Sequence, residues 1–365
     1  MSSPLQPTKI TTVEILCEYL HRAMKIEHAT IPPYLLALYS IQPGTNCDAT
    51  NALRVVAVEE MLHLTLAANI LNAVGGEPDL TDPDFVPTYP AAVPTGEDDF
   101  EVHLEPFSKD AIDTFLRIER PAQPSSGAGE KGRFVSRPPE ARTLLVVPGE
   151  VNIHFYSIGE FYEEILRGLN YLHNEHGDSL FGGDPDRQVT PEYYYSGGGK
   201  LCAVTDMESA MRAANLIVEQ GEGFGGGIYD NPHELAHFYR FQELTLGRHY
   251  QPGDKPYKEG VPDTGPTGPV FKVEWDKVYP FKKDPCLSDY PESSELYAAA
   301  IRFNESYADF LGMLTTAYNG KPQLLLDAVP RMFSLRNEIN QLIRNPMPGQ
   351  DGVNAAPTFK TVAKP

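Results

Sequence analysis

Glu60 and His63 lie three positions apart in a long stretch of regularly spaced apolar residues. On an α-helix with 3.6 residues per turn, side chains three apart project from one face, so this carboxylate and this imidazole can reach the same atom. That is a metal-chelating geometry. Taken alone the Glu-x-x-His pair is weak evidence, because exposed helices often contain both residue types.

The surroundings of this pair strengthen the metal interpretation. Apolar residues share its helical face, at Leu53, Val56, Ala67 and Ile70, so the pair is predicted to face a core. An uncompensated charge is costly to bury there. A metal ion or a buried partner is needed to make the arrangement tolerable.

Glu27 supplies a second carboxylate, on the apolar stripe of an earlier predicted helix. A carboxylate on one helix beside Glu-x-x-His on the next is the half-site pattern of four-helix bundles that bind two iron or manganese ions. The alternative for Glu27 is a salt bridge to a nearby base, either Arg22, Lys25 or Arg54.

The predicted third helix offers Glu160, with Glu163 and Glu164 as alternatives. Ser157 and Glu160 have the spacing of a capping box, so Glu160 is either a metal ligand or a first-turn cap. The fourth helix offers Glu219, with Glu222 three residues later. Carboxylates are disfavoured near a helix C-terminus unless a cation compensates them, although both could also lie in solvent after the helix has ended.

His237 is the remaining nitrogen candidate, on a stripe with Phe241 and Leu244. It is either a ligand or a hydrogen-bonded core histidine. Glu234 completes a second Glu-x-x-His pair. However, Asn231 suits an N-cap and Pro232 suits the first helical position, which would place Glu234 in the capping turn. Glu234 is therefore a weaker candidate for a metal ligand.

Periodicity and breakers predict the elements that must position these side chains. The first helix begins after Thr11 or Thr12 as N-cap, and Pro32-Pro33 predicts a kink in it just after Glu27. The predicted helices span residues 12–41, 49–74, 157–175, 206–219, 232–248, 293–318 and 322–343.

Two long proline-rich segments separate the helices. Residues 78–148 contain eleven prolines and a Ser/Gly-rich patch at 125–132, but also enough apolar residues to predict ordered coil and short strands over the bundle. Residues 251–291 contain eight prolines and a strand-like run at 270–275. A loop at 177–204, which includes Tyr193–Tyr195, is predicted as a small hairpin.

Composition excludes several classes of function. The 50 acidic and 30 basic residues give a net charge of −20, which disfavours binding to nucleic acid or to anionic membranes. The N-terminal residues do not resemble a signal peptide, and no apolar run approaches eighteen residues, so we expect a soluble, cytoplasmic protein. The four cysteines are widely spaced and are expected to be free thiols.

Several motifs together resemble one known family. They are EHATIPPYL at 27–35, EEMLHL at 59–64, ANILNAVGG at 68–76, SIGEFY at 157–162, QGEG at 220–223 and ELAHFYRF at 234–241. In combination they look like the ferritin-like domain of the iminophenyl-pyruvate dimer synthases, over about residues 10–250. Those enzymes act on oxidised aromatic amino acids in the violacein and indolocarbazole pathways. This chain resembles a stand-alone version of that domain.

The sequence therefore predicts an all-α protein built on a ferritin-like four-helix bundle with long proline-rich inserts and extra C-terminal helices. Its expected parts are a bundle at 10–250 with an insert at 78–155, a helical extension at 251–345 packing on the bundle, and a polar tail at 346–365. The predicted metal ligands are Glu27, Glu60, His63, Glu160, Glu219 and His237.

This ligand set suits one or two iron or manganese ions. The resemblance implies oxidation or oxygenation of a small, aromatic, amino-acid-derived substrate in natural-product metabolism, with dioxygen as a further partner. The alternative is a non-catalytic metal-binding or iron-storage protein. The sequence assigns no catalytic side chain, and it is compatible with a homo-oligomer.

Overall fold

The computed structural model describes residues 8–94, 99–121, 157–195, 197–230 and 233–360. This part of the chain contains eight α-helices and one antiparallel pair of strands, β1 (Ala91–Pro94) and β2 (Asp99–Val102). The helices are α1 (Val13–Ser40), α2 (Cys47–Ala73), α3 (Lys109–Ile118), α4 (Ile158–His176), α5 (Met207–Glu222), α6 (His237–Leu246), α7 (Glu295–Tyr318) and α8 (Leu324–Ile343).

Four of these helices form a closed bundle. Helix α1 packs against α2 and α4, and α5 packs against the same two helices from the other side. The shared core includes Leu20, Leu66, Ile165 and Ile217, all at most 3% exposed. The all-α four-helix bundle predicted from the sequence is confirmed.

Helix α1 continues through both of its internal prolines. Thr12 is the N-cap, and its hydroxyl accepts a hydrogen bond from the backbone of Ile15. A proline removes the hydrogen bond to the carbonyl four residues earlier, which for Pro33 is Ala29. The hydroxyl of Tyr89 donates to that Ala29 carbonyl at 2.7 Å, so the freed acceptor is satisfied within the buried helix.

The described part of the first insert packs on the bundle through Phe100, Phe107, Ile112 and Phe115. It differs from the prediction in containing α3, which Ser108 caps by accepting from the backbone of Ala111. The helix is strongly amphipathic, so its burial needs no long apolar run. The Ser/Gly-rich patch at 125–132 lies outside the described residues.

The predicted hairpin between α4 and α5 is wrong for the described residues of that segment. Short 3₁₀ turns occupy Gly177–Phe181 and Pro185–Arg187 instead. The segment is held to α2 by Asn69, whose side-chain amide donates to the carbonyls of Val189 and Cys202. Buried side-chain bonds of this kind replace the strand ladder that a hairpin would form.

Helix α6 begins later than predicted, at His237. The preceding backbone is engaged elsewhere, because Tyr229 forms an isolated β-bridge with Leu235 and the Ala236 amide donates to Ile228. Glu234 therefore precedes the helix and does not occupy its first turn. The expected caps Asn231 and Pro232 lie outside the described residues.

The C-terminal helices α7 and α8 pack on each other, and they also contact the bundle through α2 and α1. The strand-like run at 270–275 forms no strand, since only Val270 makes a bridge, to Arg248. The tail does not fray over its described part: Phe359 is buried against Phe303 and Tyr307. Residues 361–365 lie outside the described range.

Among the described residues, α2 is the one helix whose length and composition could suit a membrane span. Its apolar window is 83% buried by other parts of the protein. This burial is typical of the central helix of a folded core.

Candidate metal centre

Two groups of metal-binding side chains meet inside the helical core. Glu27, Glu60 and His63 form the first group, and Glu60, Glu119 and His237 form the second. Within each group, one donor atom from each residue lies within 4.8 Å of the others. All five residues are at most 4% exposed. Because Glu60 belongs to both groups, the donors form one continuous cluster.

The bundle and its insert position this cluster together. Glu27 comes from α1, while Glu60 and His63 come from consecutive turns of α2. Glu119 follows the last residue of α3, and His237 is the first residue of α6. Helix α6 packs against both α2 and α3. The described part of the insert thus contributes a donor as well as covering the bundle.

Hydroxyl groups hold each of the three carboxylates. Tyr162 donates to Glu27 Oε1 at 2.6 Å, and Thr30 shares its hydroxyl proton between the Glu27 carbonyl at 2.8 Å and Glu60 Oε2 at 2.9 Å. Tyr34 donates to Glu119 Oε1 at 2.5 Å. Each carboxylate keeps its other oxygen directed toward an imidazole, so the hydroxyls fix the carboxylate orientations without occupying all of their donor atoms.

The His63 imidazole has a different neighbour at each nitrogen. Its Nδ1 lies 3.4 Å from Glu27 Oε2 and 3.5 Å from Glu60 Oε1. Its Nε2 lies 2.9 Å from the side-chain oxygen of Gln220. The ring therefore presents Nδ1 to the carboxylate cluster.

His237 repeats this arrangement. Its Nδ1 lies 3.0 Å from Glu60 Oε1 and 3.3 Å from Glu119 Oε2, while Nε2 lies 2.9 Å from Glu59 Oε2. The two rings are stacked, with centroids 5.4 Å apart. Both imidazoles thus direct the same nitrogen toward Glu60.

Burial and mutual charge shift the pKa values of these groups. Burial raises the pKa of Glu27 to about 7, against the opposing effect of His63. Burial also raises the pKa of Glu119, as does the charge of Glu60. For Glu60, hydrogen bonds from the two imidazoles outweigh burial and lower its pKa.

The pKa values of the two imidazoles shift upward, whereas burial lowers the pKa of an ordinary buried histidine. Burial alone would lower the pKa of His63, but the adjacent Glu27 and Glu60 raise it to about 10. His237 behaves in the same way, because Glu119, Glu59 and Glu60 outweigh burial and raise its pKa well above the usual value. In the metal-free protein, protons therefore supply the positive charge of the cluster.

The charge of this cluster fits a metal ion. Glu27, Glu59, Glu60 and Glu119 are four buried carboxylates, against two imidazoles that can contribute at most one positive charge each. Grouping four carboxyl groups around two imidazoles in a low-dielectric core is costly unless protons or a metal ion balance their charge. Carboxylate oxygens and imidazole nitrogens are suitable ligands for iron and manganese.

A small cavity of about 20 Å³ adjoins the donors. Glu27, Glu60, His63 and Glu119 form one side of it. Its remaining wall is mostly apolar and includes Ile118, Ile158, Ile217 and Val218. A ligand about the size of a water molecule could reach the donors from this side.

The structure brings together four of the six predicted ligands, namely Glu27, Glu60, His63 and His237. Glu160 and Glu219 belong to neither donor group. The backbone amide of Glu160 donates to the Ser157 hydroxyl at the start of α4, which is the capping relationship considered from the sequence. Both residues are partly exposed.

The alternatives considered from the sequence have distinct environments. Glu163 pairs with Arg167 at the surface, and buried Glu164 binds Arg167, Thr8 and the Lys9 backbone. Glu234 is exposed and pairs with Arg240. Glu222 lines the cavity, where its Oε1 accepts from the Gly159 backbone at 2.9 Å. This bond also brings the end of α5 to the start of α4, as expected for antiparallel neighbours.

Sequence reasoning missed Glu119. It lies in the proline-rich insert, where no helix was predicted, although the apolar stripe of α3 carries a signal. Ile112 and Phe115 are three apart, and Glu119 follows four residues later on the same face. A helix with this apolar face carries the Glu119 carboxylate at its buried end. Glu27 has a similar place on the apolar stripe of α1.

The chain belongs to the ferritin-like family, whose model matches residues 20–246. A solved ferritin-like protein from Caulobacter vibrioides has the same fold, with a TM-score of 0.61 and 22% identity. That comparison covers 96% of this chain and 99% of the other. Proteins of the ferritin-like family commonly bind metal ions, which agrees with the carboxylate and histidine groups found here.

Two characterised enzymes are similar in sequence. The chain is 24% identical to dichlorochromopyrrolate synthase of Lentzea aerocolonigenes, over 98% of this chain and 37% of that enzyme. It is 25% identical to 2-imino-3-(indol-3-yl)propanoate dimerase of Chromobacterium violaceum, over 66% of this chain and 24% of that enzyme. The resemblance to the iminophenyl-pyruvate dimer synthase type is confirmed, although the chain spans well under half the length of either relative.

Proposed function

We propose that this protein is a metal-dependent oxidase or oxygenase that binds iron or manganese, one ion in each donor group. The proposed ligands are Glu27, Glu60 and His63 for the first ion and Glu60, Glu119 and His237 for the second. The observation that carries the proposal is that Glu60 belongs to both groups, because a shared carboxylate can hold two ions close together. Glu160 and Glu219 are omitted from this ligand set.

The proposed substrate is a small aromatic compound derived from an amino acid. Two observations support this class. The wall of the cavity beside the donors is mostly apolar, and both similar enzymes are named for indole- or pyrrole-containing compounds. Dioxygen is the proposed oxidant.

The side chains of this protein have defined tasks in such a reaction. Tyr162, Thr30 and Tyr34 hold the three carboxylates in fixed orientations through their hydroxyl groups. The wall formed by Ile118, Ile158, Ile217 and Val218 excludes water from one side of a bound substrate. When bound, the metal supplies redox chemistry that amino-acid side chains lack.

The cavity and its wall favour a catalyst over a storage protein, because a site that only deposits iron has no need for an apolar substrate wall. The test is aerobic oxygen consumption by protein loaded with iron or manganese, in the presence of an aryl 2-iminopropanoate generated in situ. Substrate-dependent oxygen uptake would support the proposal. If bound iron is oxidised and retained with no response to any aromatic imino or amino acid, the storage alternative would replace it.

A further inference from the structure

Each imidazole of the candidate metal centre has an outer partner on the side away from the carboxylate cluster. His63 Nε2 lies 2.9 Å from the side-chain oxygen of Gln220, and His237 Nε2 lies 2.9 Å from Glu59 Oε2. Gln220 and Glu59 are each 3% exposed. These partners face the nitrogens that do not point toward the shared carboxylate, Glu60.

The orientation of the Gln220 amide follows from its second contact. Its nitrogen donates to the backbone carbonyl of Gly198 at 2.6 Å. Reversing the amide would place two oxygens against each other, so the side-chain oxygen must face His63. An oxygen there can only accept, which requires His63 Nε2 to carry a proton. In a neutral ring, Nδ1 is then the nitrogen with the free electron pair.

Glu59 has the same effect on His237. Its Oε2 lies 2.9 Å from His237 Nε2, and a ring N–H donates to such an oxygen, so Nε2 is the donor. Nδ1 of His237 is then left to face Glu60 and Glu119. The two outer partners thus select the same ring nitrogen in both histidines.

A glycine strap, Gly197–Gly199, packs over both outer partners. Gly198 has a φ of +76°, and a Cβ atom there would lie 2.9 Å from Cγ of Glu59. A cavity of about 190 Å³ is lined by the strap together with Glu59 and Gln220. The outer partners therefore stand between this second cavity and the two imidazoles, where water would otherwise compete for Nε2.

We infer that Gln220 and Glu59 are positioning residues that hold His63 and His237 with Nδ1 directed to the metal. This inference rests on the proposed function, because it concerns the two imidazoles of the proposed ligand set. Losing an outer partner of a metal-bound histidine typically weakens metal binding by about 10- to 100-fold.

The test uses the full chain loaded with Zn²⁺ as a diamagnetic probe. The expected result for the parent protein is metal on Nδ1 and a proton on Nε2 in both rings, measured by ¹⁵N NMR of labelled histidines. Gln220→Met should weaken Zn²⁺ binding by about 10- to 100-fold and remove the uniform Nδ1 pattern of His63. Glu59→Leu should do the same for His237, whereas Glu59→Gln retains an accepting oxygen and should preserve the pattern.

Gln188→Met is the matched control. Gln188 is a similarly buried glutamine whose amide donates to Asn69 and accepts from Val204, and it contacts neither histidine in the bonds described. It should leave Zn²⁺ affinity and both ring patterns unchanged.

If Gln220→Met does not fold, Gln220→Asn serves instead, because the shortened amide cannot reach both His63 and Gly198.

The outcomes separate this inference from the proposed function. Parent protein that binds neither Zn²⁺ nor Mn²⁺ would overturn both. Parent protein that binds metal, with Gln220 and Glu59 variants equal to it in affinity and in ¹⁵N pattern, would overturn the positioning role and leave the proposed metal centre intact. Metal ligation through Nε2 in the parent protein would likewise overturn the positioning role and leave the proposed metal centre intact.

Discussion

Nδ1 of His237 lies 3.0 Å from Oε1 of Glu60, although the two residues are far apart in the sequence. The same oxygen lies 3.5 Å from Nδ1 of His63. One carboxylate of α2 therefore connects two imidazoles from separate helices, and with them the two donor groups.

Glu60→Ala should remove both metal ions, because this residue belongs to both groups. Glu119→Ala should remove only the ion held with His237. Metal content measured by elemental analysis after reconstitution distinguishes the two variants. Glu164→Gln is the control, since Glu164 is a buried glutamate held by Arg167 and should keep full occupancy. Full occupancy in Glu60→Ala would contradict the assignment of that residue.

Metal binding at neutral pH should release about two protons. In the metal-free protein the pKa of His63 is raised to about 10 and that of His237 is raised well above its usual value, so both rings are protonated at pH 7. Each must lose the proton on Nδ1 to bind metal. Affinity should therefore increase with pH, and it should fall further below pH 7 as Glu27, with a pKa of about 7, binds a proton. Calorimetric titration with Mn²⁺ in buffers of different ionisation enthalpy measures the release, and an affinity independent of pH would argue against these ligands.

Tyr162→Phe should weaken metal binding without unfolding the bundle. The substitution keeps the buried ring and removes the hydroxyl that donates to Glu27. A hydrogen bond to a charged group contributes about 1.5–3 kcal/mol, which corresponds to roughly a 10- to 100-fold change in affinity. Tyr318→Phe is the control, because that buried hydroxyl bonds to the neutral Thr65. Competition with a chelator measures the metal affinity of both variants. Equal affinities in Tyr162→Phe and Tyr318→Phe would contradict this prediction.

Glu160→Gln and Glu219→Gln should retain metal affinity, because neither residue belongs to a donor group. A glutamine at position 160 can also still close a capping box with Ser157. Competition with a chelator is again the measurement. A sharp loss of affinity in either variant would restore that residue to the ligand set and would require α4 or α5 to move toward the cluster.

The sequence predicted those parts of the molecule whose signals are local. Glu60 and His63 are one helical turn apart, and the apolar face around them can be read without knowing the fold. The bounds of α1, α2, α4 and α5 also follow from local signals, namely apolar periodicity and N-cap residues. Thr12 and Ser157 are the N-caps of α1 and α4. Such features depend on neighbours within a few residues.

The features that sequence analysis missed depend on contacts between distant segments. Helix α6 begins at His237 because the preceding backbone forms a bridge between Tyr229 and Leu235. Glu119 becomes a donor only because α3 packs against α6. Gln220 has no local signal for its role, since its partners His63 and Gly198 come from two other segments.

Anomalous diffraction from crystals loaded with Mn²⁺ tests the central claim most directly. We expect two manganese peaks, one on each side of the Glu60 carboxylate, with Glu27 and His63 at the first and Glu119 and His237 at the second. Both histidines should bind through Nδ1. The absence of manganese from this cluster, in crystals that bind manganese elsewhere, would contradict the account.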